Sequence, residues 1–161
     1  MENIFGIDMN HTLTKFLKAQ EKLVKGMEVM MDIDYDGSDL TPKELVYKED
    51  KMSLYHYKPT VKTPCKIPTL IVYALVNRQY MMDIQQEKSV IKKLLDMGLD
   101  LYIIDWGYPT AEDRYITMED YIEGYMNDAV DYILKEFNTE KLNLIGVCQG
   151  GTFSVIYSAL H

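Results

Sequence analysis

The chain has 161 residues, 47% apolar and 26% charged, which suits one globular domain with a real core. A net charge of −8 and a pI near 4.8 argue against nucleic-acid binding, and no Lys/Arg cluster offsets them. No apolar run approaches the roughly 18 residues of a transmembrane segment, and Met1-Glu2-Asn3 does not open a secretory signal.

Residues 1–40 read as separate from the rest. Asn10 is placed to cap a helix running to about Met31. Its Leu13, Phe16, Leu17, Leu23, Val24, Met27, Met30 and Met31 share one face. Lys15, Lys18, Glu21, Lys22 and Lys25 occupy the other. Such a face ordinarily packs on its own domain, and its methionines also suit docking on another subunit or an apolar particle. Residues 32–39 (DIDYDGSD) have the acidic spacing of a calcium loop, but Lys43 stands where that loop needs its Glu, so the stretch is read as a linker.

Order resumes at Thr41-Pro42. Residues 44–47 and 51–57 read as short strands around a turn at Lys48-Glu49-Asp50, with His56 a surface residue. Residues 67–75 (IPTLIVYAL) form a continuous apolar strand, as in a parallel sheet buried on both faces. A loop from Val76 to Tyr80 follows; its Arg78 reads as an ion-pair partner in preference to a phosphate contact. A helix over 87–97 stops at Gly98, and a strand over 100–106 is broken by Gly107-Tyr108-Pro109. Thr117 to Asp120 is a capping box for a helix over 118–137, expected to bury Tyr121, Ile122, Tyr125, Val130 and Ile133. Strands alternating with helices predict an α/β fold: a mostly parallel sheet with helices on both faces.

The most informative stretch is LNLIGVCQGGTFSVIY, residues 142–157. A strand-like run meets Gly146-Val147-Cys148-Gln149-Gly150-Gly151, and a helical segment over 152–160 follows. This fits the G-x-S-x-G nucleophile elbow of the α/β-hydrolase-like fold, with Cys148 in place of Ser; the other reading of the stretch is a glycine-rich strand–helix turn with an inert, buried Cys. Of the elbow glycines Gly146, Gly150 and Gly151, the first two flank the nucleophile and let strand and helix approach while Cys148 is strained; a side chain two residues to either side would collide. The N–H of Gln149 and the helix N-terminus then lie beside the thiol, where donors stabilise an oxyanion and thiolates form. In this fold the loop after the preceding apolar strand gives a second donor, here Val76 or Asn77. Cys65 sits in an unrelated setting, so a reducing compartment is favoured over a disulfide.

Five segments, in order, resemble the catalytic subunit of two-subunit (class III or IV) poly(3-hydroxyalkanoate) synthases: TPKELVY at 41–47, LIVYALVNRQYMMD at 70–83, IDWGYP at 104–109, DYIEGYMNDAVD at 120–131 and GVCQGG at 146–151. The resemblance implies an acyltransferase that polymerises (R)-3-hydroxyacyl groups from coenzyme A thioesters. Cys148 would carry the acyl group as a thioester, with no cofactor and no metal. The implied partners are hydroxyacyl-coenzyme A, the growing polyester and an accessory subunit, with homodimerisation left open. The implied location is cytoplasmic, on polyester granules.

Such enzymes also use an Asp and a His downstream of the nucleophile, and the sequence ends at His161. On this reading it is the N-terminal portion of a synthase, cut after the elbow helix, with residues 1–40 preceding part of a catalytic domain over 41–161. Polymerisation by it alone is expected to be negligible, and an open sheet edge is expected to make it partner-dependent. Two other readings are a thiol hydrolase of the dienelactone-hydrolase type and a non-catalytic fragment that binds the accessory subunit or the granule.

Overall fold

The computed structural model describes residues 9–31 and 40–161. The chain divides into two units, Met1–Ser38 and Asp39–His161. The acidic stretch 32–39 lies outside the described residues.

In the first unit, α1 spans Met9–Met31. Asn10 therefore falls inside the helix rather than capping it. Leu13, Phe16, Leu17, Leu23, Val24 and Met27 are exposed. Lys25 pairs with Glu21 one turn earlier at 2.8 Å, the spacing at which helical side chains meet.

The second unit is built on a five-stranded sheet: β1 (Glu44–Glu49), β2 (Met52–Tyr57), β3 (Thr69–Val72), β4 (Leu101–Asp105) and β5 (Asn143–Gly146). Its spatial order is β1-β2-β4-β3-β5. The β1–β2 and β2–β4 pairs are antiparallel; β4, β3 and β5 are parallel. The hairpin turn falls at Asp50-Lys51, later than the sequence suggests, because Glu49 still pairs with Met52 and Asp50 takes the left-handed turn with φ 46°. Asp tolerates that conformation better than most residues.

Strand periodicity sorts the core into two layers. Leu70, Val72, Tyr102 and Ile104 face one side with Ile122, Met126, Ile133, Phe153 and Tyr157. Ile71, Leu101 and Ile103 face the other with Ile91 and Leu95. Helix α2 (Val90–Asp96) thus covers one face, and α3 (Asn127–Phe137) and α4 (Gln149–Leu160) cover the opposite one. Each fully buried Leu or Ile contributes roughly 1.5–3 kcal/mol by leaving water, and β3 is buried along its whole length.

The helix read over 118–137 is not uniformly α. Asp120–Met126 is wound as a π-helix and continues into α3. The wider i→i+5 turn superposes positions four and five apart. It brings Tyr121 and Tyr125 together toward the β1–β2 turn, where Lys51 donates to the Tyr121 hydroxyl at 2.6 Å and Tyr125 donates to Asp50 at 3.1 Å. Tyr121 consequently stays half-buried, while Met126 and Ala129 are fully buried. Burial and the Asp50 bond push the Tyr125 hydroxyl up to about 12.

The capping box at Thr117 forms: its N–H and hydroxyl donate to Asp120 at 2.7 and 2.8 Å, and the Asp120 N–H donates back at 3.3 Å. A second box at Thr110 and Asp113 opens the short 3₁₀ helix Ala111–Tyr115. Hydrogen bonds from the capping threonine's backbone N–H, then from its hydroxyl, hold both carboxyls below their ordinary 3.8. A carboxylate lowered in the folded state stabilises it above the unfolded value, and that stability is lost as pH falls through the lower folded value. The urea midpoint should therefore drop on acidification from about pH 5 to about pH 3. Replacing Asp113 and Asp120 together by Asn should flatten that drop; an unaltered pH slope would contradict this origin.

Candidate active site

The parallel strands β3, β4 and β5 end on one side of the sheet, the usual place for a site in such sheets. There β5 runs into Val147, whose N–H donates to the Val72 carbonyl at 2.9 Å, and α4 begins immediately after Cys148. The helix thus starts at Gln149, three residues before the sequence reading placed it. Cys148 has φ 56° and ψ −122°. Asp50 and Asn138 also have positive φ, but they are residue types that visit that region; Cys is not. Strain of this kind costs on the order of 1–3 kcal/mol and persists where surrounding structure enforces it.

Two glycines enforce it. A Cβ on Gly150 would stand 2.0 Å from the Val72 carbonyl oxygen. One on Gly146 would stand 2.4 Å from the Gly151 Cα. Helix and strand are therefore in backbone contact on both sides of Cys148. Gly151 differs, since its Cβ would meet nothing closer than the Gly146 oxygen at 3.5 Å. Gly151 is the residue approached, and its own side is open.

The thiol of Cys148 is exposed and makes no capping hydrogen bond to α4. Cys65 is also a free, exposed thiol. Both histidines of this unit are committed elsewhere. His56 Nε2 is 2.6 Å from Asp100 Oδ1 and its ring stacks on Tyr102, at the opposite end of β4 from the site. His161 lies at the far end of α4, 3.2 Å from Glu123 and stacked on Tyr157.

Beside the elbow, the apolar run read as a strand over 67–75 ends as a strand at Val72, and residues 73–78 turn instead. This turn contains Val76 and Asn77. It is fastened twice to the end of β4 and the residue after it: Arg78 donates to Asp105 at 3.1 Å, and Trp106 Nε1 donates to the Tyr73 carbonyl at 2.8 Å. The Arg78 guanidinium also lies 3.9 Å from the centre of the Tyr108 ring. Arg78 is thus the ion-pair partner that the sequence suggested. Within the turn, the Arg78 N–H donates to the Asn77 side chain at 2.9 Å. The N–H groups of Val76 and Gln149 have no acceptor among the described residues.

Two features went unread in the sequence. One is the side chain of Gln149, whose Oε1 accepts from the Leu75 N–H at 3.2 Å. The other is Asp83, 1% exposed, which accepts from the Thr41 N–H at 2.6 Å, from the Thr41 hydroxyl at 3.1 Å and from Ser89. Ser89 in turn caps α2, accepting from the Lys92 N–H at 2.9 Å. Asp83 therefore ties the entry of this unit to the segment behind the 73–78 turn. Both contacts join residues far apart in the chain, and composition or periodicity gives no sign of them.

A mixed sheet whose β4, β3 and β5 run parallel, covered on both faces, with a strained cysteine on a strand–helix elbow, defines an α/β-hydrolase fold; residues 67–161 match the family model for that fold. Residues 9–94 match the family described as the N-terminus of poly-beta-hydroxybutyrate polymerase (PhaC). The chain is 48% identical over 156 residues to the poly(3-hydroxyalkanoate) polymerase subunit PhaC of Synechocystis sp., covering 96% of this chain and 41% of that one. It is 49% identical over 148 residues to the subunit of the same name from Thiocystis violacea, and 48% over 149 residues to that from Allochromatium vinosum. Each alignment covers 91% of this chain and 42% of the relative. The chain belongs to the poly(3-hydroxyalkanoate) polymerase family and spans about two-fifths of the length of these relatives. Among the described residues, no helix is long and apolar enough to cross a membrane.

Proposed function

We propose that this chain carries the acyl-accepting centre of a poly(3-hydroxyalkanoate) synthase, with Cys148 as the nucleophile. The observation that carries the reading is the enforced positive φ of Cys148 between Gly146 and Gly150, which leaves its thiol exposed at the start of α4. Family membership and the names of the relatives supply the substrate class.

The chemistry runs in two transfers. The Cys148 thiolate attacks the thioester carbonyl of a 3-hydroxyacyl-coenzyme A. The carbonyl oxygen becomes an oxyanion held by the N–H groups of Gln149 and of Val76 or Asn77. The intermediate collapses, the bond to coenzyme A breaks, and coenzyme A leaves as a thiolate that takes a proton from solvent. The hydroxyl of another 3-hydroxyacyl group then attacks the Cys148 thioester, loses its proton to a base, forms an ester and frees the thiol. A thiol suits this relay because exchanging one thioester for another keeps the acyl group activated. Neither His56 nor His161 is placed to be that base. The half-reaction proposed for these residues is therefore acylation, and polymerisation belongs to the whole protein. No cofactor enters either step. The partners of the whole protein on this reading are the accessory subunit and the polyester itself, with association at granules.

The choice of acyl donor tests the substrate class. With 3-hydroxybutyryl-coenzyme A the chain should gain the mass of one hydroxybutyryl group on Cys148, and a small unsaturated lactone should neither be turned over nor compete. Lactone hydrolysis without thioester acylation would favour a dienelactone-hydrolase-like enzyme instead.

A further inference from the structure

The Gln149 side chain has no part in the acylation steps as written, yet it reaches across the site. Its Oε1 accepts from the Leu75 N–H, joining the first residue of α4 to a turn 74 positions earlier. The other fastenings of that turn, Arg78 to Asp105 in β4 and Trp106 just after β4 to Tyr73, hold its two ends. Its middle has little packing of its own, since Val76 is 86% exposed. The Gln149 contact also sorts the amides: Leu75 N–H is taken by Gln149 and Arg78 N–H by Asn77. Val76, between them, keeps its N–H open.

We propose that Gln149 is a positioning residue: its side-chain oxygen holds the Leu75–Asn77 turn against the elbow. The turn's open N–H and the backbone N–H of Gln149 then converge on one acyl oxygen at Cys148. The inference rests on Cys148 being the nucleophile. An oxyanion donor works only within about 2.7–3.1 Å of where the charge develops. The two donors come from separate elements, and a fixed link between those elements sets their spacing. One residue supplies both a donor, through its backbone, and that link, through its side chain.

Two reactions of the same thiol separate positioning from general loosening. Alkylation by iodoacetamide displaces iodide at a saturated carbon and builds no oxyanion. Acylation by 3-hydroxybutyryl-coenzyme A passes through one. Both rates are read from the mass of the peptide carrying Cys148. Gln149→Met keeps the length and removes the acceptor; its acylation-to-alkylation ratio should fall about tenfold or more, within the effect of losing an oxyanion donor. An unchanged ratio in Gln149→Met overturns the proposal, because a merely structural role would move both rates together. Should that variant fail to fold, Gln149→Asn keeps the amide but falls short of Leu75, and the same two results decide. An unsubstituted chain that is alkylated at Cys148 but never acylated overturns the nucleophile reading itself, and this inference with it.

Discussion

Gly150→Ala is expected to disrupt the elbow and abolish acylation of Cys148. The added Cβ would lie 2.0 Å from the Val72 oxygen and 2.5 Å from the Val72 carbonyl carbon. Both are backbone atoms of a strand buried on both faces, so no side chain can rotate away. Either β3 must leave its register with β5 or α4 must lift from the sheet. Overpacking costs roughly 1–3 kcal/mol where side chains can yield, and more where they cannot; about 3 kcal/mol or more is expected here. Gly146→Ala should behave alike, with its Cβ 2.4 Å from the Gly151 Cα. Gly151→Ala is the contrast. Its Cβ would make ordinary contact at 3.5 Å, and it removes a glycine from within α4. A change within about 1 kcal/mol of zero, on the stabilising side, is expected. Urea unfolding of the three variants checks this ordering, and a Gly150→Ala protein as stable as Gly151→Ala would contradict it.

Asp83→Ala carries the second large effect. Asp83 is almost fully buried, and its two oxygens accept three hydrogen bonds from Thr41 and Ser89. Alanine would leave the Thr41 N–H without its acceptor and loosen Ser89, which caps α2. Each buried group left unsatisfied costs about 1–3 kcal/mol, so a loss of about 3 kcal/mol in the urea-derived stability is expected. Asp83→Asn retains one acceptor oxygen and should lose less. An Asp83→Ala protein within about 1 kcal/mol of the unsubstituted chain would show that these bonds are replaced by water at little cost.

The parallel strands and the elbow were legible because local chemistry dictates them. An apolar run such as Leu70-Ile71-Val72 admits only burial on both faces, and Gly146-Val147-Cys148-Gln149-Gly150 admits few turns other than a tight strand–helix junction. The capping box at Thr117 was legible for the same reason: its partners lie within one helical turn. What escaped depends on long-range pairing. The π-helical winding of Asp120–Met126 answers to Asp50 and Lys51 on a distant hairpin. The Gln149 bond to Leu75 depends on how β3 and β5 align, with Val72 opposite Gly146. The need for glycine two residues to either side of Cys148 was legible as well; that the third glycine, Gly151, has an open side came only from the packing around it.

The most direct test of the central claim is where a single acyl group lands. The chain is incubated with 3-hydroxybutyryl-coenzyme A, its intact mass is taken, and the modified peptide is mapped, beside Cys148→Ala. Both thiols are free and exposed, so exposure alone cannot favour either. One hydroxybutyryl group on Cys148, none on Cys65 and none in Cys148→Ala is the predicted result. Equal labelling of Cys65 and Cys148, or an adduct that survives Cys148→Ala, would contradict the account.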